Sequence, residues 1–170
     1  MMHHDRTVDM GILIEPILSS LAEGTEVILS GRGTSMEPFL TEGRDRIVLS
    51  PPHGGRPHVG EIYLYRRLNG GYSIHRVYAV KNGCVTMLGD AQLFLERGIP
   101  IDNLLGRAVR VIRENETVDC TDPKLLFGAA VRMRCRIAVW RMRVRYRSVR
   151  RMLCSILGKR APGDGENVRK

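Results

Sequence analysis

The sequence predicts a mainly β protein with flanking α: a small antiparallel sheet assembly, one short helix before it and one long basic helix after it. Three observations lead there. Between residues 25 and 119 the chain holds several short runs rich in β-branched and aromatic residues, divided by turn-forming residues. Before them, apolar residues recur at roughly helical spacing. After them, the stretch between Ala129 and Leu157 contains neither Gly nor Pro.

The first helix is expected over residues 9–23. Asp9 can cap it, Ile12, Leu13, Ile17, Leu18 and Leu21 supply its apolar side, and Gly24 can stop it. Pro16 either bends this helix or delays its start. The strand-like runs are Glu26–Ser30, Asp45–Leu49, Glu61–Tyr65, Tyr72–Val80, Val85–Leu88 and Gly106–Ile112. Asn69-Gly70-Gly71 and Lys81-Asn82-Gly83 are hairpin signals, because Asn and Gly accept the positive φ of tight turns, so the middle strands should be consecutive and antiparallel. Pro51–Pro57 reads as an exposed loop. In the tail, apolar residues and Arg alternate over Val131–Arg136 and Trp140–Arg147, which is strand periodicity. Length decides for helix, since a strand of that extent is implausible. The expected organisation is a β domain over 1–122, a basic amphipathic helix over 123–160 and a disordered tail over 161–170.

Composition bounds the function classes. With 170 residues, 43% hydrophobic and 26% charged, the chain can bury a core and is neither disordered nor collagen-like. The net charge of +9 is uneven: residues 1–122 hold 13 Lys/Arg against 16 Asp/Glu, and residues 123–170 hold 14 against 2. Such a basic block suits an anionic surface, phospholipid or nucleic acid. Cys84, Cys120, Cys135 and Cys154 show no metal-binding spacing and read as free thiols. The apolar stretch Met10–Leu21 is broken by Glu15 and Pro16, too short for a membrane anchor or signal peptide. The expected location is cytoplasmic or peripheral to a membrane.

The chemistry centres on Ser35. A serine hydroxyl becomes a nucleophile only when a neighbouring base takes its proton. Ser35 lies in a turn after a strand, where Gly31 and Gly33 allow a sharp bend and Pro38 stiffens the exit. Most turn serines have no such role. Among the histidines, His3 and His4 are terminal, His53 and His58 are in or beside the Pro/Gly loop, and His75 alone sits inside a strand, which can hold an imidazole rigidly. Gly89-Asp90 at the end of a strand, or Glu96 six positions on, could supply an orienting carboxylate, although Gly-Asp is also a plain turn signal.

Gly33-Thr-Ser-Met-Glu-Pro38 resembles the nucleophile box of the S24/S26 serine peptidase superfamily. Gly60-Glu-Ile-Tyr-Leu-Tyr65 resembles its Gly-Asp-Ile-Val-type strand, Ile74-His-Arg-Val77 its general-base box and Gly89-Asp90 its acid box. The boxes occur in the family's order. Bacterial leader peptidases and LexA-like repressors have Lys as the base, whereas the endoplasmic-reticulum, archaeal and sporulation-type signal peptidases have His, so His75 makes the chain similar to the second group. The resemblance implies a signal-peptidase/LexA-like antiparallel β core, Ser35 as nucleophile, His75 as base and then acid, and a carboxylate that orients His75. Asp90 comes first for that carboxylate and Glu96 is its rival. It further implies an oxyanion site from Ser35 N–H and the Thr34 hydroxyl, with Met36 and Pro38 by the substrate cleft, no cofactor and no metal.

Three features depart from that pattern. Gly33 stands where the family commonly has Ser, and losing one oxyanion donor typically costs on the order of 10²–10³ in rate. An N-terminal membrane anchor is not expected here. The Arg-rich segment 125–157 suits peripheral contact with an anionic membrane, Arg snorkelling to phosphates and Trp140 near the interface; a helix packed on the body with a solvated Arg face is the plainer alternative. The function expected first is cleavage of a leader, signal or pro-segment. A weak or inactive family member, or a repressor-like regulator acting by binding or self-cleavage, is the alternative, though too few residues precede the first strand for a helix-turn-helix domain. Sequence-specific nucleic acid binding is not expected.

Overall fold

A computed structural model describes residues 10–31, 33–52, 54–114 and 116–156. The elements in chain order are α1 (Met10–Ala22), β1 (Val27–Ser30), β2 (Arg46–Ser50), β3 (Ile62–Arg66), β4 (Tyr72–Lys81), β5 (Cys84–Leu88), β6 (Glu96–Pro100), a 3₁₀ turn (Ile101–Asn103), β7 (Leu104–Ile112), β8 (Thr117–Asp119) and α2 (Pro123–Ile156). Turn chemistry organises the sheet as the sequence suggests. Asn82 and Gly83, with φ of 50° and 71°, alone connect β4 to β5, the left-handed pair a two-residue hairpin requires. In the β3–β4 turn Gly70 has φ 86°, and the Arg67 N–H donates to the Gly71 carbonyl at 2.7 Å.

The strands form one antiparallel sheet in the order β1-β2-β7-β3-β4-β5-β6, and β8 pairs with the far end of β7. Register shifts at Val48/Leu49, Leu64/Tyr65, Val77/Ala79 and Val85/Met87 mark bulges, which bend and twist the strands that carry them. The sheet is covered on both faces at its centre. β3 contributes Ile62 and Leu64 to one core, with Ile14, Ile17 and Leu21 of α1, and Tyr63 and Tyr65 to a second, with Val77, Met87 and Ile99. That double burial explains why β3 reads as a continuous apolar run instead of an alternating one.

Two strands escaped the sequence. β6, which the sequence runs leave unassigned, contains Gly98 at φ 74° and ends at Pro100; it lies at the sheet edge, where Pro is tolerated, and its ladder with β5 makes it a strand. β8 has three residues, too few for a pattern. α1 runs through Pro16 instead of starting after it, and the Ser20 hydroxyl donates to the Pro16 carbonyl at 3.0 Å. Gly24, at φ 85°, ends the helix, its N–H meeting the Leu21 carbonyl at 3.1 Å. The proposed Asp9 cap and the tail 161–170 lie outside the described residues.

The tail is helical, as length required. Asp122 caps α2: its carboxylate accepts from Lys124 N–H at 2.8 Å, its carbonyl from Leu126 N–H at 3.0 Å, and Pro123 takes the first helical position. The chain up to Met133 forms one compact unit, which includes the first turns of α2, and the chain from Arg134 forms another. Among the described residues no helix is long and apolar enough to cross a membrane.

Gly60 fixes where α2 begins. Its φ is 98°, and a Cβ there would come within 2.6 Å of the Leu126 carbonyl oxygen. Gly60→Ala is expected to lower unfolding stability by about 2 kcal/mol or more, from backbone strain plus collision. Gly70→Ala, also at positive φ but in open space, should cost only about 1–2 kcal/mol, from strain alone. Denaturant midpoints of the two variants provide the comparison; equal losses would refute the steric contact.

Candidate active site

The loop between β1 and β2 carries Ser35 and is tied at several points. Gly33, at φ 76°, donates its N–H to Glu42 Oε2 at 2.8 Å, and Leu40 N–H meets the Met36 carbonyl at 3.0 Å. At the loop's base, buried Asp45 accepts from Thr41 N–H at 2.9 Å and from the Arg44 guanidinium at 2.7 and 2.8 Å. The Arg44 hydrogen bond, helped by Thr41 and opposed by burial, lowers the Asp45 pKa below the usual carboxylate range. Phe39 anchors the exit: the Arg76 guanidinium lies 4.2 Å from its ring centroid, and Arg113 donates to its carbonyl at 2.9 Å. The positive φ at position 33 suits Gly, because a side chain there would strain the backbone.

Ser35 itself is half-buried, and its carbonyl accepts from Ala91 N–H at 2.9 Å. A Cβ on Gly89 would lie 2.6 Å from that same oxygen. Gly89 follows Leu88, which pairs with Arg76 across the sheet. The Ser35 main chain thus packs against the turn that follows β5, the strand next to β4.

His75 is buried in β4 and opposite Tyr63 of β3, while Tyr65 is opposite Ser73. Tyr65 is therefore the diagonal neighbour of His75 on the same face. Its hydroxyl lies 2.9 Å from His75 Nδ1, with ring centroids 5.8 Å apart. Glu96 Oε1 lies 3.6 Å from that nitrogen, and Arg67 Nε holds Glu96 Oε2 at 2.9 Å. The other ring nitrogen, Nε2, is 3.3 Å from the Ser73 hydroxyl. Burial lowers the His75 pKa below its ordinary value; Glu96 pulls it upward and Arg67 pushes it further down. Burial, and then Glu96, raise the Tyr65 pKa, so the phenol keeps its proton.

Asp90, the first choice for orienting His75, is engaged elsewhere. Arg76 Nε reaches both of its oxygens at 2.9 Å, and Arg76 NH1 donates to the Gly60 carbonyl at 2.9 Å. His75 and Arg76 project to opposite sides of β4, so the carboxylate two residues past the end of β5 meets the Arg while the carboxylate opening β6 meets the His. Glu96 is thus the carboxylate beside His75. Met36, expected by the substrate cleft, is buried in the larger core at 3% exposure; Thr34 and Pro38 are exposed. Among the described residues, no hydrogen bond joins the Ser35 hydroxyl to the His75 imidazole. A cavity of about 520 Å³ opens at the base of the Ser35 loop, lined by Ser30, Gly31, Glu42, Asp45 and Arg113 among others, and neither Ser35 nor His75 lines it.

Sequence reasoning missed Tyr65, Arg67 and Arg76. Tyr65 and Arg67 become partners only through strand register and the existence of β6, which the residues did not reveal; Arg76 was visible beside His75, but its alternation to the other face could have directed Asp90 to it. Among the described residues no group of three or more His, Cys, Asp or Glu could hold a metal ion. Cys84, Cys120 and Cys135 are free thiols, and burial pushes the Cys120 thiol up to about 11. Comparison with protein-family models, with curated proteins and with solved structures finds no match.

The lowered His75 pKa links folding to pH. The folded chain takes up this proton less readily than the unfolded chain, whose histidine titrates near 6.5, so the contribution is full above about pH 6.5 and is lost as pH falls from there through the folded value. The thermal midpoint should therefore drop between neutral pH and mildly acid pH, more in the wild-type chain than in His75→Gln. Parallel pH profiles for the two, measured by circular dichroism, would contradict this linkage.

Proposed function

We propose that this protein is a serine endopeptidase that cleaves a leader, signal or pro-segment, with Ser35 as nucleophile, His75 as general base and Glu96 as the carboxylate that orients the imidazole. The observation that supports it best is the asymmetry of His75. Its Nδ1 side faces Tyr65 and Glu96, its Nε2 side faces the Ser73 hydroxyl, and burial lowers its pKa and so favours the neutral ring.

The Tyr65 hydroxyl has one proton to give. Directed to the Glu96 carboxylate, it leaves the phenol oxygen to accept from His75 Nδ1–H, which places the basic lone pair on Nε2. Nε2 then removes the Ser35 proton as Oγ attacks the scissile carbonyl, and returns that proton to the leaving amine as the tetrahedral intermediate collapses. Water, deprotonated by the same nitrogen, hydrolyses the acyl-enzyme and restores Ser35. The imidazolium formed in between is stabilised by Glu96. The Ser35 N–H and the Thr34 hydroxyl serve the oxyanion. Contact between Ser35 and His75 belongs to the substrate-bound state, since catalytic hydrogen bonds often tighten only there. The hold of Ala91 N–H on the Ser35 carbonyl, at the end of the strand that pairs with β4, supports this approach.

Ser35→Ala and His75→Ala should each lower cleavage of a precursor peptide by roughly 10⁴-fold or more while leaving the circular dichroism spectrum unchanged. A serine-directed phosphonate should label Ser35 in the wild-type chain and not in His75→Ala; failure to label the wild-type chain would favour a role in binding over catalysis.

Glu96 and Asp90 separate by pH profile. Glu96→Gln should lower kcat and move the acid limb of kcat/KM to lower pH, because it removes the group that favours imidazolium. Asp90→Asn should lower stability and leave the position of that limb unchanged. A shifted limb in Asp90→Asn with none in Glu96→Gln would return the orienting role to Asp90.

A further inference from the structure

The second half of α2 has a pattern that no part of the proposed chemistry uses. Between Lys124 and Ile156 there is no Asp or Glu, and nine Arg lie in the helix. The alternation of Arg with apolar residues, which looks like a strand in sequence, resolves at about 100° per residue into stripes. Val139, Met142, Tyr146 and Val149 fall within one apolar stripe, at 40%, 63%, 67% and 50% exposure. Arg136, Arg143 and Arg147 run along one margin of that stripe, and Arg134, Arg141 and Arg145 along the other. Trp140 and Val144 fall on the opposite side, so the tryptophan expected at a membrane interface is not on this stripe.

We infer that this helix lies on the surface of an anionic phospholipid bilayer, with the Val139–Val149 stripe in the acyl boundary and the two Arg margins at the phosphates. Arg stems can pass over an apolar surface while their guanidinium groups stay with the headgroups, and this geometry puts cations on both sides of one apolar face. A nucleic acid would take the arginines and leave the apolar stripe in water. An anionic leaflet covers both. The stripe is too interrupted by charge to cross a membrane, which agrees with the helix lacking any spanning segment. This surface is independent of the Ser35 chemistry.

Co-sedimentation of the full chain with phosphatidylglycerol/phosphatidylcholine vesicles, and with phosphatidylcholine alone, tests it. Binding is expected only to the anionic vesicles, weakening as salt rises. Met142→Gln combined with Val149→Gln retains every charge and should weaken binding by about 10-fold or more. Arg141→Gln should weaken it about 5-fold, the loss of one cation near an anionic leaflet. A chain carrying Met142→Trp together with Trp140→Phe should blue-shift its fluorescence on the vesicles, whereas the wild-type chain, with Trp140 alone, should not, and Ser35→Ala should bind as the wild-type chain does. The inference is overturned by an absence of vesicle binding, by vesicle binding that ignores the Met142/Val149 change in a chain of unaltered helicity, or by a blue shift in the wild-type chain with none in the chain carrying Met142→Trp. DNA binding that survives the apolar change while vesicle binding is absent would make nucleic acid the partner.

Discussion

A single buried cation, Arg76, ties together the parts of this molecule that matter. It is fully buried, and a guanidinium in that position is costly unless its charge and its N–H groups are met. Asp90 meets Nε with two oxygens, the Gly60 carbonyl takes NH1 and the Phe39 ring lies over the guanidinium, while buried NH2 has no hydrogen-bond partner among the described residues. Those partners come from the chain after β5, the entry to β3 and the Ser35 loop. Removing Asp90 would leave an uncompensated charge at the junction of all three, the circumstance in which breaking a buried pair costs most.

The same pair explains how neighbouring residues divide the labour. Alternation along β4 places His75 and Arg76 on opposite faces, and two acidic residues close in sequence, Asp90 and Glu96, are separated by the turn into β6 so that each meets one of them. The charge at Asp90 is thereby occupied by a structural partner, and the imidazole is left with a carboxylate whose other oxygen is held by Arg67. Burial and Arg67 push His75 toward its neutral form, which suits a base, while Glu96 moderates that push so that the protonated form remains attainable.

Much of the architecture was legible because local rules agreed. The Asn82-Gly83 turn, the strands around it, the Gly24 stop and the helical tail are each set within a few residues of sequence. What was not legible depends on pairing. β6 shows no strand pattern of its own until β5 lies beside it, and with β6 hidden nothing ties Glu96 or Tyr65 to His75. Ser35, His75 and Gly89-Asp90 could be singled out from their contexts. The choice between Asp90 and Glu96 could not be made, because it rests on which face of β4 each carboxylate reaches. The burial of Met36 was hidden for a similar reason: a residue next to Ser35 can turn into the core.

The close approach of Gly89 to the Ser35 carbonyl has a further consequence. Ion pairs weaken with salt and titrate with pH, whereas two backbones in van der Waals contact cannot come closer under any solution condition. The spacing between the serine loop and the turn after β5 is therefore set by a hard stop, with the Ala91 hydrogen bond holding the loop against it. A change of pH or salt thus alters the charges around this loop without altering that spacing.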